Sequence, residues 1–163
     1  MTAVRDIIII SVVLFVIGII SFIFVGLSHS INNQLLLTPS INSSSHAVAV
    51  INSSDTASNM MDYIYLAMFI GLFLSIIIAG WFASSYPVFI PIYFILIILF
   101  TFVSVVLQLI WIDITATSYV SSTLTYLPIT NYILSHLGYF IAVMGLVGIL
   151  VMYAKPDNNG GSY

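Results

Sequence analysis

Residues 7–27 read IIIISVVLFVIGIISFIFVGL, an uninterrupted apolar stretch without one charged side chain. Three further uncharged apolar runs follow at residues 63–83, 89–112 and 133–154. As helices, runs of this length extend about 30 Å, which matches the hydrocarbon core of a bilayer. Backbone groups in lipid need partners within their own segment, so each run is predicted to be helical. The sequence therefore predicts an all-α integral membrane protein with four transmembrane helices in one membrane domain, residues 1–163.

The composition excludes several classes of protein. Hydrophobic residues make up 61% of the 163 residues and charged residues only 4%, against about 25% charged in a typical soluble domain. Arg5 and Lys155 are the only basic residues, so no basic patch exists to neutralise phosphates, and nucleic acid is excluded as a partner. The lipid bilayer is the expected surrounding. The chain has no cysteine, which excludes disulfides and thiolate metal sites.

The first run is longer than the core of a secretion signal and lacks an Ala-x-Ala site after it, so we expect a retained span. Pro87 and Pro91 favour a tight turn between the second and third spans over one long helix. Four spans place both termini on one side, and the basic residues at both ends favour the cytoplasmic-equivalent side. Aromatic residues near the ends of the spans suggest a two-sided interfacial belt: Tyr63, Tyr65, Trp81, Tyr86, Trp111, Tyr132 and Tyr153.

Outer loops are predicted at residues 28–62 and 113–132. The first is rich in Ser and Asn and is expected to form a small ordered or partly ordered cap, with a short strand or hairpin near residues 47–51 as one option. It carries two candidate N-glycosylation acceptors, Asn42 and Asn52. In the second loop, Thr130 or Asn131 is expected to cap the helix that follows. Residues 156–163 are expected to form a flexible tail.

No ionisable side chain lies in the middle of any span, which disfavours a proton relay or a coupled transporter. Asp62 is explained by a position in the first turn of the second span, with Asn59 as the N-cap. His29, His46 and Asp55 share the first outer loop, but their spacing matches no metal motif. We therefore assign no catalytic, cofactor-binding or metal-binding residues, and expect a protein that is not an enzyme.

The most informative pattern concerns helix packing. Small residues recur every four positions along the second span, and a similar smooth face occurs in the fourth. Small faces let helix backbones approach closely, which is the main attraction available in lipid. We expect these two helices to pack against each other or against a neighbouring subunit. The residues are Ala67, Gly71, Ser75, Ala79 and Ala83 in the second span, and Gly138, Ala142, Gly145 and Gly148 in the fourth.

A polar stripe marks the third span. Thr101, Ser104 and Gln108 are spaced by three and four residues, so they share one helix face. They are expected to form interhelical hydrogen bonds. A pore lining is the alternative, although one amide and two hydroxyls are few groups for a conducting path.

The second half of the chain resembles small membrane proteins of tailless icosahedral viruses with an internal lipid membrane. The resemblance rests on Tyr86-Pro87-Val88-Phe89 before a long apolar span, on Pro128-Ile129-Thr130-Asn131, and on a glycine-bearing span ending in Met152-Tyr153-Ala154-Lys155. It implies a structural constituent of the virion membrane beneath the capsid, with capsid proteins as partners and no catalytic residues.

The favoured function is a non-enzymatic structural or assembly protein that packs laterally with itself or with other membrane proteins. It would reside in a virion internal membrane or a cell membrane. An accessory subunit of a cellular membrane enzyme or respiratory complex is the alternative, and a small channel or permeability factor comes third.

Overall fold

The computed structural model describes residues 2–82 and 90–154. Within these ranges the chain is helical, with short turns between helices and no strand. The helices are α1 (Thr2–Leu36), α2 (Pro39–Asn42), α3 (Ser45–Phe82), α4 (Ile90–Thr115), α5 (Ser118–Leu124), α6 (Pro128–Ser135) and α7 (Leu137–Ala154). The turn expected around Pro87 and the tail at 156–163 lie outside the described residues. Pro91 lies in the first turn of α4, where a proline ring is tolerated.

Helices α1 and α3 are much longer than their apolar runs. They contain 35 and 38 residues, which corresponds to about 52 and 57 Å. The predicted loop at 28–62 is therefore wrong for most of its length, because α1 continues to Leu36 and α3 already begins at Ser45. The strand considered near residues 47–51 is wrong as well, since that segment is helical.

Among the described residues, three helical segments are long and apolar enough to cross a membrane: Ile9–Leu36, Ser45–Ile78 and Pro91–Thr115. A fourth candidate is the pair Pro128–Ser135 and Leu137–Met152, which is bent by 71° at its break. The structure thus identifies an integral membrane protein with three to four candidate spans.

The core lies where α1, α3, α4, α6 and α7 meet. Helix α1 packs mainly on α3, and α7 packs mainly on α4 and also on α3. Leu14, Tyr65, Trp111, Leu137 and Ile141 are almost completely buried. Many other large apolar side chains point outward, as expected for a bundle surrounded by lipid.

Two expected interfacial aromatics are core residues instead. Trp111 is fully buried, packs edge-on against Phe22 at 5.8 Å between ring centroids, and donates its indole N–H to Oδ1 of Asn131 at 3.0 Å. Tyr65 is buried and donates its hydroxyl to the backbone oxygen of Leu14 at 3.1 Å. An indole or phenol close to the end of a span finds a partner inside the bundle as readily as at the headgroups.

Candidate functional site

The small-residue face of the second span is turned away from the rest of the chain. Ala67, Gly71 and Ser75 are exposed on α3, and a Cβ atom added at Gly71 would meet nothing within 4 Å. The side chain of Ala79 and the whole of Ala83 lie outside the described residues. Within the chain this face therefore does not pack on the fourth span over Ala67–Ser75, and packing against a neighbouring subunit stays a prediction.

The contact between α3 and α7 uses a different glycine. A Cβ at Gly80 would lie 3.4 Å from the backbone oxygen of Gly148, so the two backbones approach closely there. Gly80 follows Ala79, which belongs to the small face. Successive residues of a helix lie about 100° apart around its axis, so Gly80 lies on a neighbouring face. Close α3–α7 contact is thus present, but through the neighbouring face.

The glycines of α7 mainly face α4. A Cβ at Gly138 would lie 2.5 Å from Cγ2 of Val105, and one at Gly145 would lie 2.8 Å from Cγ2 of Ile97. At Gly148 the nearest atom would be the Tyr93 hydroxyl at 3.2 Å. Ala142 is half-buried on the same helix. Because Gly138 and Gly145 leave no room for a side chain unless a neighbour moves, these two positions set the close approach of α7 to α4.

The polar stripe of the third span is engaged with neighbouring helices at two of its three positions. The Ser104 hydroxyl is fully buried, lies 3.1 Å from Oγ of Ser11 on α1, and donates to the Phe100 carbonyl at 2.9 Å. Oε1 of Gln108 accepts the backbone N–H of Gly138 at 3.1 Å. Thr101 is half-buried. The Gln108 amide therefore satisfies one of the free N–H groups at the start of α7.

Asp62 has a different role from the one expected. It lies in the middle of α3, not in a first turn, and only 3% of it is exposed. Its carboxylate accepts the N–H of Ile129 at 2.9 Å, and both the N–H and the hydroxyl of Thr130 at 2.7 Å. It thus caps the N-terminus of α6 from another helix, where a negative charge is favourable. The expected cap by Thr130 or Asn131 is wrong, because α6 already begins at Pro128.

Asn131 instead links α6 to α4. Its Oδ1 accepts the Trp111 indole N–H and, at 3.3 Å, the Ser135 hydroxyl. The helix then breaks at His136, which has non-helical dihedral angles. Its Nδ1 lies 2.9 Å from the carbonyl oxygen of Tyr132, and its ring lies 4.5 Å from the Tyr132 ring. The end of α6 at the break is therefore held in place by these contacts.

Polar side chains join the C-terminal part of α1 to the N-terminal half of α3. We call this set the polar clasp: Ser28, His29 and Asn32 on α1, with Asp55, Ser58 and Asn59 on α3. The Ser28 and Ser58 hydroxyls are 2.7 Å apart, and Asn32 donates to Oδ1 of Asp55 at 2.6 Å.

His29 lies at the centre of the polar clasp. Its Nδ1 is 3.1 Å from Oδ1 of Asp55, and its Nε2 is 3.2 Å from Oδ1 of Asn59. The buried imidazole also stacks on the Tyr126 ring, with centroids 3.7 Å apart, so the clasp extends to the segment after α5. His46, the third residue considered for a metal site, is exposed at the start of α3. Among the residues that the structure describes, no three His, Asp or Glu side chains are grouped as metal ligands would be.

The candidate acceptors Asn42 and Asn52 are both exposed, at the end of α2 and within α3. Within the described ranges, every buried side-chain nitrogen and oxygen has a hydrogen-bond partner. The surface that the described geometry leaves open is therefore the outward side of its helices, including the smooth face of α3.

The comparisons with known proteins are negative: no family model, no curated protein and no solved structure matches the chain.

Proposed function

We propose that this chain is a non-enzymatic structural protein of a membrane that assembles laterally with copies of itself or with other membrane proteins. The observation that carries the proposal is the exposed small face of α3, where Gly71 has open space and Ala67 and Ser75 lie one turn away on either side. In lipid, such a face favours another helix because the backbones can approach to contact distance.

The polar side chains within the bundle support the same proposal. Ser104 and Gln108 are engaged with α1 and α7, so they act as contacts between helices. That use favours a packing role over the pore lining considered from the sequence. Within the apolar runs, the outward faces carry mainly apolar and small residues, which suit lipid and other helices.

For the topology, we propose that α7 provides the fourth crossing. Its 18 residues extend about 27 Å, close to the hydrocarbon thickness. Four crossings would place Arg5 and Lys155 on the same side, in agreement with the positive-inside rule. The segment 37–44, which joins α1 to α3 and which we call the hairpin end, would then lie on the opposite, outer side.

The favoured setting is the internal membrane of an icosahedral virus, with capsid proteins as further partners. The likeness of the second half of the chain to such membrane proteins supports this setting. In that position a bundle with smooth lateral faces would act as a repeating element of the membrane.

The test is a substitution that fills the small face without touching the core. Gly71→Leu and Ser75→Leu place bulk on the face, while Val106→Leu adds bulk to an exposed position of α4. We expect the first two to lower the assembly state in mild detergent, measured by light scattering, and the third to leave it unchanged. All three should insert into membranes at the wild-type level. Unchanged assembly of Gly71→Leu would reject the role of this face.

A further inference from the structure

The exposed side chains of α3 and α4 change from apolar to polar part of the way along each helix. On α4, every exposed side chain from Ile92 to Ile112 is apolar, and the next exposed residue is Asp113. On α3, the exposed residues from Met60 to Ile78 are apolar, small or aromatic, whereas most of those from Ser45 to Asn59 are polar. We call this level the polarity boundary: between Asn59 and Met60 on α3, and between Ile112 and Asp113 on α4.

The two changes lie at matching heights. Ile76 and Tyr93 meet at Gly148, where an added Cβ would lie 3.4 Å from Cγ2 of Ile76 and 3.2 Å from the Tyr93 hydroxyl. From these residues, Asn59 is about 26 Å away along α3 and Asp113 about 30 Å along α4. Both lengths are close to the thickness of a hydrocarbon core. The polarity boundary therefore marks where the hydrocarbon ends on the side of the hairpin end.

Helix α6 is attached to both helices just inside the polarity boundary. Asp62, within one turn of Asn59, accepts the N–H groups of Ile129 and Thr130. On the other side, the Trp111 indole donates to Asn131. The level of α6 thus follows from contacts with two helices whose exposed surfaces change polarity at that height.

The direction of α6 follows from its angle to α7. The two helices are bent by 71° at the break between them. The eight residues of α6 extend about 12 Å, but at this angle they rise only about 4 Å along the axis of α7. With α7 crossing the membrane, as proposed above, α6 lies nearly parallel to the membrane surface.

The exposed side chains of α6 and of the first turn of α7 differ from those of the spans. They are Pro128, Tyr132, His136 and Tyr139, whereas the exposed large side chains further along α7 are Leu146 and Leu150. Tyr132 and Tyr139 are 59% and 69% exposed. Three of the four residues at the bend therefore present rings that combine an apolar body with a polar atom.

The headgroup layer suits this face better than lipid tails or bulk water do. Tails would leave the two phenol hydroxyls without partners, and water would leave the large ring faces hydrated. The Nδ1–H of His136 donates to the Tyr132 carbonyl at 2.9 Å, so Nε2 is the ring atom left for water or a headgroup. Tyrosine is enriched at membrane interfaces for this reason.

We propose that α6 is an interfacial helix, lying along the membrane surface with Tyr132, His136 and Tyr139 among phospholipid headgroups. Its opposite face, with Thr130, Ile133 and Leu134, is buried against the bundle. The inference uses the crossing of α7 proposed above and does not depend on lateral assembly.

The chain has no cysteine, so a single introduced cysteine can carry a spin label. The depth of the label is measured from its collisions with oxygen and with a water-soluble nickel chelate. The full chain is reconstituted in phosphatidylcholine vesicles, with one label on α6 (Tyr132→Cys or His136→Cys) or on α7 (Tyr139→Cys or Leu146→Cys). Each variant keeps at least two of the three rings.

Two exposed positions serve as references: Thr56→Cys for water and Ile98→Cys for the middle of the membrane. We expect the labels at Tyr132 and His136 to lie within about 3 Å of the same depth, between the two references, because α6 is nearly parallel to the surface. The label at Leu146 should lie about 10 Å deeper than the one at Tyr139, since α7 follows the membrane normal.

Three results would overturn the proposal. A depth difference of about 6 Å between the labels at Tyr132 and His136 would mean that α6 stands along the membrane normal. A Tyr132 label as accessible to the nickel chelate as the Thr56 label would place α6 in water. Low access of both reagents to the α6 labels would mean that protein covers this face.

The α7 labels keep this inference separate from the fourth crossing. If the Leu146 label lies as deep as expected while the α6 labels give one of the three contrary results, the crossing stands and the interfacial position of α6 is wrong. If the labels at Leu146 and Tyr139 lie at one depth, the crossing itself is wrong.

Discussion

Asp62 and Thr130 are 68 residues apart in the chain, yet one carboxylate oxygen of Asp62 accepts both the backbone N–H and the hydroxyl of Thr130 at 2.7 Å. The other oxygen accepts the N–H of Ile129. Through these bonds a buried side chain of α3 fixes the point at which the chain turns into α6. The orientation of α6, and with it the bend before α7, depends on this carboxylate.

Replacing Asp62 should therefore destabilise the protein. We expect Asp62→Ala to lower the free energy of unfolding by about 2 to 3 kcal/mol, because charge-assisted hydrogen bonds are lost and the N–H groups of buried Thr130 and half-buried Ile129 lose their partner. Asp62→Asn should have a smaller effect, since one oxygen remains as an acceptor. Thermal unfolding in detergent measures the difference. The control is Asp113→Ala at an exposed position, and equal effects at the two sites would contradict the capping role.

A second prediction contrasts two glycines. Gly138→Ala should destabilise the protein by about 1 to 3 kcal/mol, because the new methyl group would overlap Val105 and force α7 away from α4. Gly71→Ala makes the same chemical change where the space is open, so it should leave stability nearly unchanged. Unfolding by denaturing detergent compares them. If Gly71→Ala were the more harmful change, the assignment of which face packs internally would be wrong.

The polar clasp gives a third prediction. His29→Ala removes the contacts to Asp55 and Asn59 and the stacking on Tyr126. We expect faster amide hydrogen exchange in residues 50–60 of α3 and in the segment after α5, because the helices separate more often there. His46→Ala, at an exposed position near the start of α3, is the control. An exchange pattern identical in both variants would argue against a clasp.

The position of the hairpin end relative to the membrane can be measured with a cysteine placed in it. Leu37 is 81% exposed just after α1, and in the proposed topology it lies well above the hydrocarbon core. We expect Leu37→Cys to react rapidly with a membrane-impermeant maleimide added from the outer side. Ile98 is also well exposed, at 58%, but lies in the middle of α4, so Ile98→Cys should stay unlabelled. Protection of Leu37→Cys would mean that the hairpin end is embedded.

Hydropathy predicted the class of protein but not the length of its helices. Apolar runs report where lipid begins and ends, and α1 and α3 extend beyond that limit with Ser- and Asn-rich segments of low helix propensity. Those segments are helical because the two helices hydrogen-bond to each other through Ser28, Asn32 and their partners. A pairing between distant positions leaves no periodic signal in a single sequence.

In the candidate site, too, the sequence predicted which residues share a helix face but not which residues they contact. The spacing of Ser104 and Gln108 placed them on one face, but nothing in the sequence identified Ser11 and Gly138 as the groups they contact. For the small face of α3, the four-residue repeat located the surface, while its outward orientation followed only from the fold. Asp62 was assigned to its own helix because local capping is the commoner use of an acidic residue near an apolar run.

The unbroken course of α1 and α3 has a mechanical consequence. In the proposed topology, two helices joined by the polar clasp and continuous from the turn between them into the bilayer would act as a lever whose pivot lies at the outer headgroups. A sideways force on the tip would tilt the buried parts as one body, so anything that grips the top would move the inner ends of both helices in the opposite direction.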